Sequence, residues 1–287
     1  MPRQPQFAGS FYEKGFNELD KQIKECFAHE KGPGELPINK REKKLKAVIA
    51  PHAGYTYSGP CAAWAYKEIA ESEFADLYII VGPNHAGNGN FVSTDMWVTP
   101  FGEIRVDKEF LKYLMKHNEQ LKINEHAHSE EHSIEVQLPF LQFATRDKMH
   151  ELKILPIIVD HELDYKKLSL DLKETILETG RKVVFIVSTD FTHYGRNYRY
   201  LPFSQDVQEN IYKMDRKAID FVQKMDAEGF LKFNYEKITT ICGQIAIATA
   251  IKSIKATKVN LDQYYTSADI TDGDYKNSVS YAAISFF

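Results

Sequence analysis

Residues 46–50 read Lys-Ala-Val-Ile-Ala, and residues 51–60 continue Pro-His-Ala-Gly-Tyr-Thr-Tyr-Ser-Gly-Pro. The short apolar run predicts a buried β-strand. Gly59-Pro60 predicts the beginning of a helix that continues through Ala70, because proline is tolerated in the first turn of a helix. A strand, a glycine-containing turn and a helix in this order are typical of an α/β fold. The turn places His52 directly after the strand.

The same alternation continues along the chain. Helical spacing of apolar residues lies between most of the short apolar runs. We therefore expect an α/β fold with a central mixed sheet, flanked by helices on both faces, in a single domain over residues 1–287. The further predicted strands are Leu77–Gly82, Leu152–Val159, Val183–Ser188, Leu261–Ser267 and Val279–Phe287.

Composition excludes several classes of protein. The 36 Lys and Arg residues against 40 Asp and Glu give a net charge of −4, which disfavours generic nucleic-acid binding. No apolar run approaches the roughly 18 residues that cross a bilayer. The first residues lack a basic segment followed by an apolar one, so no secretory signal is expected. Three cysteines in 287 residues fit a reducing compartment, and we expect a cytoplasmic protein.

Three predicted strands each deliver a histidine just past their carboxyl end. In open α/β sheets these ends meet at one edge, which is where ligands bind. Structural histidines would not be expected to share that position, so the set indicates a common site. Its members are His52 after the first strand, His85 after the second, and His193 with Asp190 after Val183–Ser188.

Cys242 is a candidate fourth member of this site. It lies where an apolar helix, Ile245–Ile254, is predicted to begin, and a helix N-terminus lowers the pKa of a thiol. Two imidazoles and a thiolate fit iron, zinc or copper, with Asp190 and His193 as orienting or proton-transfer groups. A hydrolase with a cysteine–histidine pair would use the same residues but needs only one histidine. A small buried core residue is the remaining interpretation of Cys242.

Residues 126–135 hold the densest histidine cluster in the chain. His128 and His132 have helical i,i+4 spacing, which superficially resembles a zinc motif. Ser129 is predicted to cap a helix that continues to about residue 145, with a kink or a new start at Pro139, so capping explains much of the segment. We therefore expect His132 and Glu135 to lie beside the pocket and to support its ligand residues without being ligands themselves. Tyr57 is expected to line the pocket on the substrate side.

Seven motifs in order resemble the MEMO family, and they span nearly the whole chain. The resemblance implies a fold like that of the class III extradiol dioxygenases, which are non-haem iron enzymes that cleave catechol rings. The motifs are Ala8-Gly-Ser-Phe-Tyr12, Ala50-Pro-His-Ala-Gly-Tyr-Thr-Tyr-Ser-Gly59, Gly82-Pro-Asn-His85, Glu131-His-Ser-Ile-Glu-Val-Gln-Leu-Pro139, Ser188-Thr-Asp-Phe-Thr-His193, Ile241-Cys-Gly243 and Ser278-Val-Ser-Tyr-Ala-Ala283.

The resemblance also implies roles for individual residues. It implies that His52, His85 and Cys242 hold a metal, with iron(II) first and copper or zinc as alternatives. His193 resembles the acid/base histidine of the dioxygenases, with Asp190 in the same pocket. The dioxygenases use a carboxylate where Cys242 stands here, which makes redox or dioxygenase-like chemistry on a small substrate the expectation rather than ring cleavage itself.

Partners are implied by the resemblance as well. In animal members the pocket accepts phosphotyrosine peptides with the help of a tryptophan, and Phe11 occupies that position here. The segment His128-Ser-Glu-Glu-His132 is similar to the prokaryotic branch, whose genes often lie beside those for an AMMECR-type protein and a radical SAM enzyme. The resemblance therefore implies a small-molecule or peptide ligand and those two proteins as partners.

Overall fold

The computed structural model describes residues 2–271, 273 and 275–287. Within them, helices and strands alternate along most of the chain, as predicted. The helices are α1 (Phe16–Ala28), α2 (Tyr55–Glu71), α3 (Lys108–His117), α4 (Glu125–Glu130), α5 (His132–Glu135), α6 (Gln137–Ala144), α7 (Tyr165–Thr179), α8 (Val207–Gln223), α9 (Ala227–Lys237) and α10 (Gln244–Ser253). The strands are β1 (Ala47–Ala50), β2 (Leu77–Pro83), β3 (Asn90–Val92), β4 (Trp97–Thr99), β5 (Gly102–Val106), β6 (Leu121–Ile123), β7 (Lys153–Val159), β8 (Val183–Ser188), β9 (His193–Gly195), β10 (Val259–Thr266) and β11 (Asn277–Phe286).

The strands form one mixed sheet, which confirms the predicted fold class. Its main order is β10-β11-β1-β8-β2-β7-β3-β6, with β5 also beside β7, β4 beside β5, and β9 beside β11. The central strands β1, β8, β2 and β7 run parallel, whereas β11 pairs antiparallel with both β1 and β10. The parallel centre places the carboxyl ends of β1, β8 and β2 at one edge.

Both faces of the sheet are covered by helices. Each residue of β1 and β2 is buried, which is the pattern of a strand with protein on both sides. One helix group contains α1, α2 and α6, and α2 contacts β1 and β11. The other contains α7, α9 and α10, and α10 contacts β2 and β8. No helix of the described part of the chain is long and apolar enough to cross a membrane.

Helix α2 begins four residues earlier than the prediction, at Tyr55 instead of Gly59, so Pro60 lies inside it. A proline in this position interrupts the helical hydrogen-bond ladder. The hydroxyl group of Tyr265 repairs the gap: it accepts from the Cys61 N–H at 3.1 Å and donates to the Tyr57 carbonyl at 2.8 Å. A side chain from β10 thus stabilises a helix start that local propensity does not indicate.

The helix start predicted at Ser129 is wrong, and three short helices, α4 to α6, occupy this region. The last of them has Pro139 in its first turn, where the sequence predicts a kink or a new start. Ser129 lies within α4, where its hydroxyl donates to the His126 carbonyl at 2.7 Å. Glu131 is the cap of α5, because its carboxylate accepts from the Ser133 N–H at 2.8 Å. The break turns His128 and His132 away from a common helical face.

Gly243 lets the segment before α10 approach the end of β8. A Cβ atom added at Gly243 would lie 2.5 Å from the Thr189 Cβ and 3.0 Å from the Ser188 carbonyl oxygen. Its N–H donates to the Thr189 hydroxyl at 2.9 Å. This close packing fixes the position of the neighbouring residue, Cys242.

We expect Gly243→Ala to lower the free energy of unfolding by about 1–3 kcal/mol, because the added methyl group overpacks this contact. Gly87→Ala is the matched control, since a Cβ at Gly87 meets nothing within 4 Å. Urea unfolding of both variants measures the difference. Equal stability of the two variants would contradict the packing account.

Candidate functional site

The pairing of β1, β8 and β2 brings the residues that follow these strands close together. Ala50 of β1 is paired with Ser188 of β8, and Val81 of β2 is paired with Val187. His52, His85 and Asp190 each lie two residues beyond the end of their strand. One ligand atom from each of His52, His85 and Cys242 can be chosen so that all three lie within 4.8 Å of one another. The sequence-predicted donor set is therefore compact.

His52 is buried, and its tautomer follows from its neighbours. Its Nδ1 lies 2.8 Å from the Ser188 hydroxyl oxygen. That hydroxyl donates its hydrogen to the Ser133 carbonyl at 2.6 Å and accepts from the Gln137 amide at 2.8 Å. The hydroxyl therefore has only an acceptor position left, so Nδ1 of His52 carries the proton. The lone pair of His52 Nε2 then faces Cys242, whose Sγ is 3.3 Å away.

His85 is oriented by a buried carboxylate. Glu131 accepts from the His85 backbone N–H at 2.5 Å and from its Nδ1 at 3.0 Å. Burial alone would lower the pKa of His85, but its contacts with Cys242 and Glu131 raise it to about 10. Burial alone would raise the pKa of Glu131, but its bonds to His85 and Ser133 lower it to about 2. This carboxylate–imidazole pair directs His85 Nε2 toward Cys242, an arrangement common behind metal-ligating histidines.

Cys242 lies two residues before α10, and its sulfur is contacted by two donor groups. The backbone N–H of Asp190 points at its Sγ from 3.2 Å, and the Thr189 hydroxyl lies 3.6 Å from it. Burial, with smaller contributions from His132 and His85, lowers the pKa of His52 well below its ordinary value. A neutral imidazole beside a hydrogen-bonded sulfur is a suitable pair of metal donors.

His132 lies beside the two candidate histidine donors. Its ring stacks on that of His85 with centroids 4.9 Å apart and lies 5.2 Å from that of His52. Burial lowers the pKa of His132 to about 4, and Glu131 offsets this only in part. Phe11 covers the other side of the His132 ring at 4.7 Å, and Phe7 contacts its edge at 5.7 Å. Phe11 thus lies next to the site, through His132.

Asp190 and His193 occupy the third strand end. Asp190 accepts from the His52 backbone N–H at 2.9 Å, and its other oxygen is 4.0 Å from His52 Nε2. Burial raises the pKa of Asp190. His193 Nδ1 is 3.0 Å from the carbonyl oxygens of both Phe191 and Thr240, which only accept. Nδ1 therefore carries the proton, and Nε2 is left as the basic atom. The ring of Tyr198 packs against His193 at 5.1 Å.

Glu135 has a role different from the one expected beside the pocket. Its carboxylate pairs with Arg3 at 2.5 Å and accepts from the Phe7 N–H at 2.8 Å and the Tyr12 hydroxyl at 2.7 Å. Arg3 also donates to the His128 carbonyl at 2.7 Å. Glu135 therefore fastens the N-terminal segment that carries Phe7 and Phe11, and it acts on the site only through them.

His128 is fully buried and packs against Trp97, with ring centroids 5.6 Å apart. It lies apart from the ligand groups found among the described residues, whereas His132 forms a second such group with His85 and Glu131. The zinc-like spacing of His128 and His132 therefore does not correspond to a shared site.

Two of the three candidate donors line a cleft of about 610 Å³. His85 and Cys242 lie in its wall, together with polar residues such as Asn84 and Asp160. Apolar side chains also line it, including Leu231 and Tyr235 of α9. Tyr57 is 44 % exposed, and its backbone carbonyl is fixed by the Tyr265 hydroxyl.

Sequence reasoning missed several residues that orient the donors. Ser188 ends a predicted strand, and a serine that ends an otherwise apolar run is a signal for a buried polar contact. The contact of Glu131 with His85 depends on packing between α5 and the loop after β2. Gln137 and Tyr198 carried no signal of their own.

The fold and the site together define an α/β protein with a histidine–cysteine pocket at the carboxyl edge of a mixed sheet. A family model described as "Memo-like protein" matches residues 3–285. The chain belongs to this family, which confirms the resemblance seen in its motifs.

Curated relatives agree over the full length of the chain. It is 38 % identical to "MEMO1 family protein MK0963" of Methanopyrus kandleri, over 100 % of this chain and 99 % of the relative. It is 37 % identical to "MEMO1 family protein MTH_45" of Methanothermobacter thermautotrophicus, over 99 % and 100 %. A solved structure, "uncharacterized protein JW3007" from Escherichia coli K12, is similar over 85 % of this chain and 100 % of that one, with a TM-score of 0.44 and 9 % identity.

We expect Glu135→Gln to lower the free energy of unfolding by about 3 kcal/mol, because it leaves the buried Arg3 guanidinium without its anionic partner. Glu25→Gln is the control, since Glu25 forms an exposed pair with Lys21 at 3.7 Å and such pairs contribute little. Chemical denaturation measures both changes. A loss no larger than that of the control would contradict the role assigned to Glu135.

The pKa of His85 predicts a pH dependence of stability. Its folded value of about 10 lies above the ordinary value of about 6.5, so its contribution is complete below about pH 6.5 and is lost as the pH rises toward 10. We expect Glu131→Gln to flatten this decline in metal-free protein, because it removes the anion that favours the protonated ring. Unfolding midpoints between pH 6.5 and 8.5 test this, with Glu130→Gln as control. If the unfolding midpoints of all three proteins changed with pH in parallel, the role of Glu131 in the pKa of His85 would be refuted.

Proposed function

We propose that the protein is a mononuclear metal protein with redox or dioxygenase-like activity on a small substrate. His52, His85 and Cys242 would hold the ion, with iron(II) as the first candidate and copper or zinc as alternatives. The observation that carries the proposal is the convergence of two oriented imidazoles and one sulfur within 4.8 Å. Dioxygenase-like activity itself rests on the resemblance of the motifs to that family.

The chemistry of the donors fits a metal ion. His52 presents a lone pair at Nε2 because Ser188 and its partners fix the proton on Nδ1. His85 presents Nε2 because Glu131 occupies Nδ1. A thiolate with two imidazoles favours iron, copper or zinc over harder ions such as magnesium. Three protein donors leave positions for other ligands.

When bound, such an ion supplies Lewis acidity and, for iron or copper, one-electron redox chemistry. The remaining steps belong to the side chains. His193 can accept a proton at Nε2 from a substrate hydroxyl group, since its Nδ1 proton is held by two carbonyl oxygens. Asp190 holds the backbone at His52 and places its second oxygen beside the His52 ring. Phe11, His132 and Tyr57 would bound the substrate.

A second candidate function is a peptide- or protein-binding module that uses the same pocket. A group of exposed apolar side chains near the cleft favours it: Tyr235, which lines the cleft, is 86 % exposed, and Ile238, three residues on, is 76 % exposed. Exposed apolar patches of this kind often mark interaction sites. In this case metal removal would leave ligand binding unchanged.

A cysteine-dependent hydrolase is the third candidate, and the 3.3 Å contact between Cys242 Sγ and His52 Nε2 favours it. Alkylation of Cys242 would inactivate such a hydrolase, whereas metal chelators would not. A hydrolase of this kind gives no role to Glu131, which is bonded to His85.

The three cysteines are free, which fits a reducing compartment, and we propose a cytoplasmic location. An AMMECR-type protein and a radical SAM enzyme remain proposed partners on the basis of the resemblance.

The metal content of protein purified anaerobically without a polyhistidine tag tests the leading proposal. We expect stoichiometric iron in the wild type and its loss in Cys242→Ser and in His52→Ala, because each variant removes one of three donors. Cys61→Ser is the control, since Cys61 lies buried in α2 outside the donor set. Circular dichroism confirms folding. Metal retained in the two donor variants, or absent from the wild type after reconstitution, would contradict the proposal.

A further inference from the structure

A second cleft lies at the opposite edge of the sheet from the histidine–cysteine pocket. It has a volume of about 630 Å³ and is bounded by the segments that lead into β1, β2 and β8 and by the end of α10. The histidines follow the carboxyl ends of β1 and β2, whereas this cleft lies at the amino ends of the same strands. We call it the basic groove, and its charged lining residues are Lys44, Lys46, Arg181, Lys182, Lys255 and Glu73.

The charge of the basic groove is opposite to that of the whole protein. The chain has a net charge of −4, yet the lining contains five cationic side chains and one carboxylate. Arg181 is neutralised by Asp107 at 3.3 Å and Glu109 at 2.6 Å, and Lys182 lies 3.9 Å from Glu73. For Lys44, Lys46 and Lys255, the described part of the chain provides no carboxylate within 4.0 Å. A local positive field therefore remains around the groove.

The floor of the basic groove is apolar. Phe74, Ile176 and Ile254 line it and are each only partly buried. The neighbouring residue on α7, Leu177, is 82 % exposed. The lining contains no histidine or cysteine. An occupant that matches both features has negative charges and apolar groups side by side.

We propose that the basic groove binds an acidic, amphipathic segment of a partner protein. Its lysines are exposed and come from three separate segments of the chain, which suits several carboxylates spread along a polypeptide. A compact anion such as free phosphate would need donors that converge and are held by neighbouring contacts. Binding at this edge would leave the histidine–cysteine pocket open. The proposal does not depend on whether that pocket holds a metal.

A fluorescein-labelled peptide of alternating glutamate and leucine residues is the probe, and fluorescence anisotropy with the full chain measures its binding. We expect saturable binding that weakens as the salt concentration rises. The triple variant Lys44→Glu, Lys46→Glu and Lys255→Glu should bind the peptide at least tenfold more weakly. The control triple variant, Lys122→Glu, Lys213→Glu and Lys224→Glu, makes the same change in net charge at exposed positions outside the groove and should bind nearly as the wild type does.

Two further probes define the ligand class. A peptide of alternating glutamate and glycine should bind more weakly than the leucine peptide if the apolar floor contributes. Inorganic phosphate at the same concentration should not displace the leucine peptide. No saturable binding, an equal loss in both triple variants, or displacement by phosphate would each overturn the proposal. Circular dichroism of the two variants confirms that they fold.

Discussion

The parallel pairing of β1, β8 and β2 is the constraint on which the candidate site depends. It sets Ala50 and Ser188 side by side and places the end of β2 next to them. Three loops then leave the sheet at one edge, and the second residue of each carries a chemical group: His52, His85 and Asp190. Cys242 completes the set because the loop before α10 packs tightly against the end of β8 through Gly243.

Proximity alone would not make these residues a useful donor set; the polar groups behind them do. Ser188 and Glu131 are both buried, and each fixes one imidazole through its Nδ1 atom. The two histidines therefore present their Nε2 atoms toward the same sulfur. Glu135, one turn beyond Glu131, fastens the N-terminal segment with Phe7 and Phe11. The short helix α5 and its cap thus hold both the His85 ring and the N-terminal segment next to the site.

The sequence predicts the parts of this arrangement that depend on strand ends. An apolar run followed by a histidine can be recognised locally, so the positions of His52, His85 and His193 at one edge were predictable, and so was the mixed α/β fold. The parts that depend on tertiary contacts were not. Tyr265 stabilises a helix around Pro60 from a strand 205 residues away, and the break between α4 and α5 follows from the use of Glu131 by both His85 and Ser133. Neither the Tyr265 contact nor the contact between Glu131 and His85 leaves a local pattern.

Anaerobic titration of the metal-free protein with cobalt(II) tests whether His52, His85 and Cys242 form a metal centre. Cobalt(II) reports its ligands through its absorption spectrum, and a bound thiolate gives an intense charge-transfer band in the near ultraviolet. We expect this band to saturate at a single equivalent and to disappear in Cys242→Ser while it persists in Cys61→Ser. Cobalt binding without the band, or a band that survives in Cys242→Ser, would contradict a centre built from His52, His85 and Cys242.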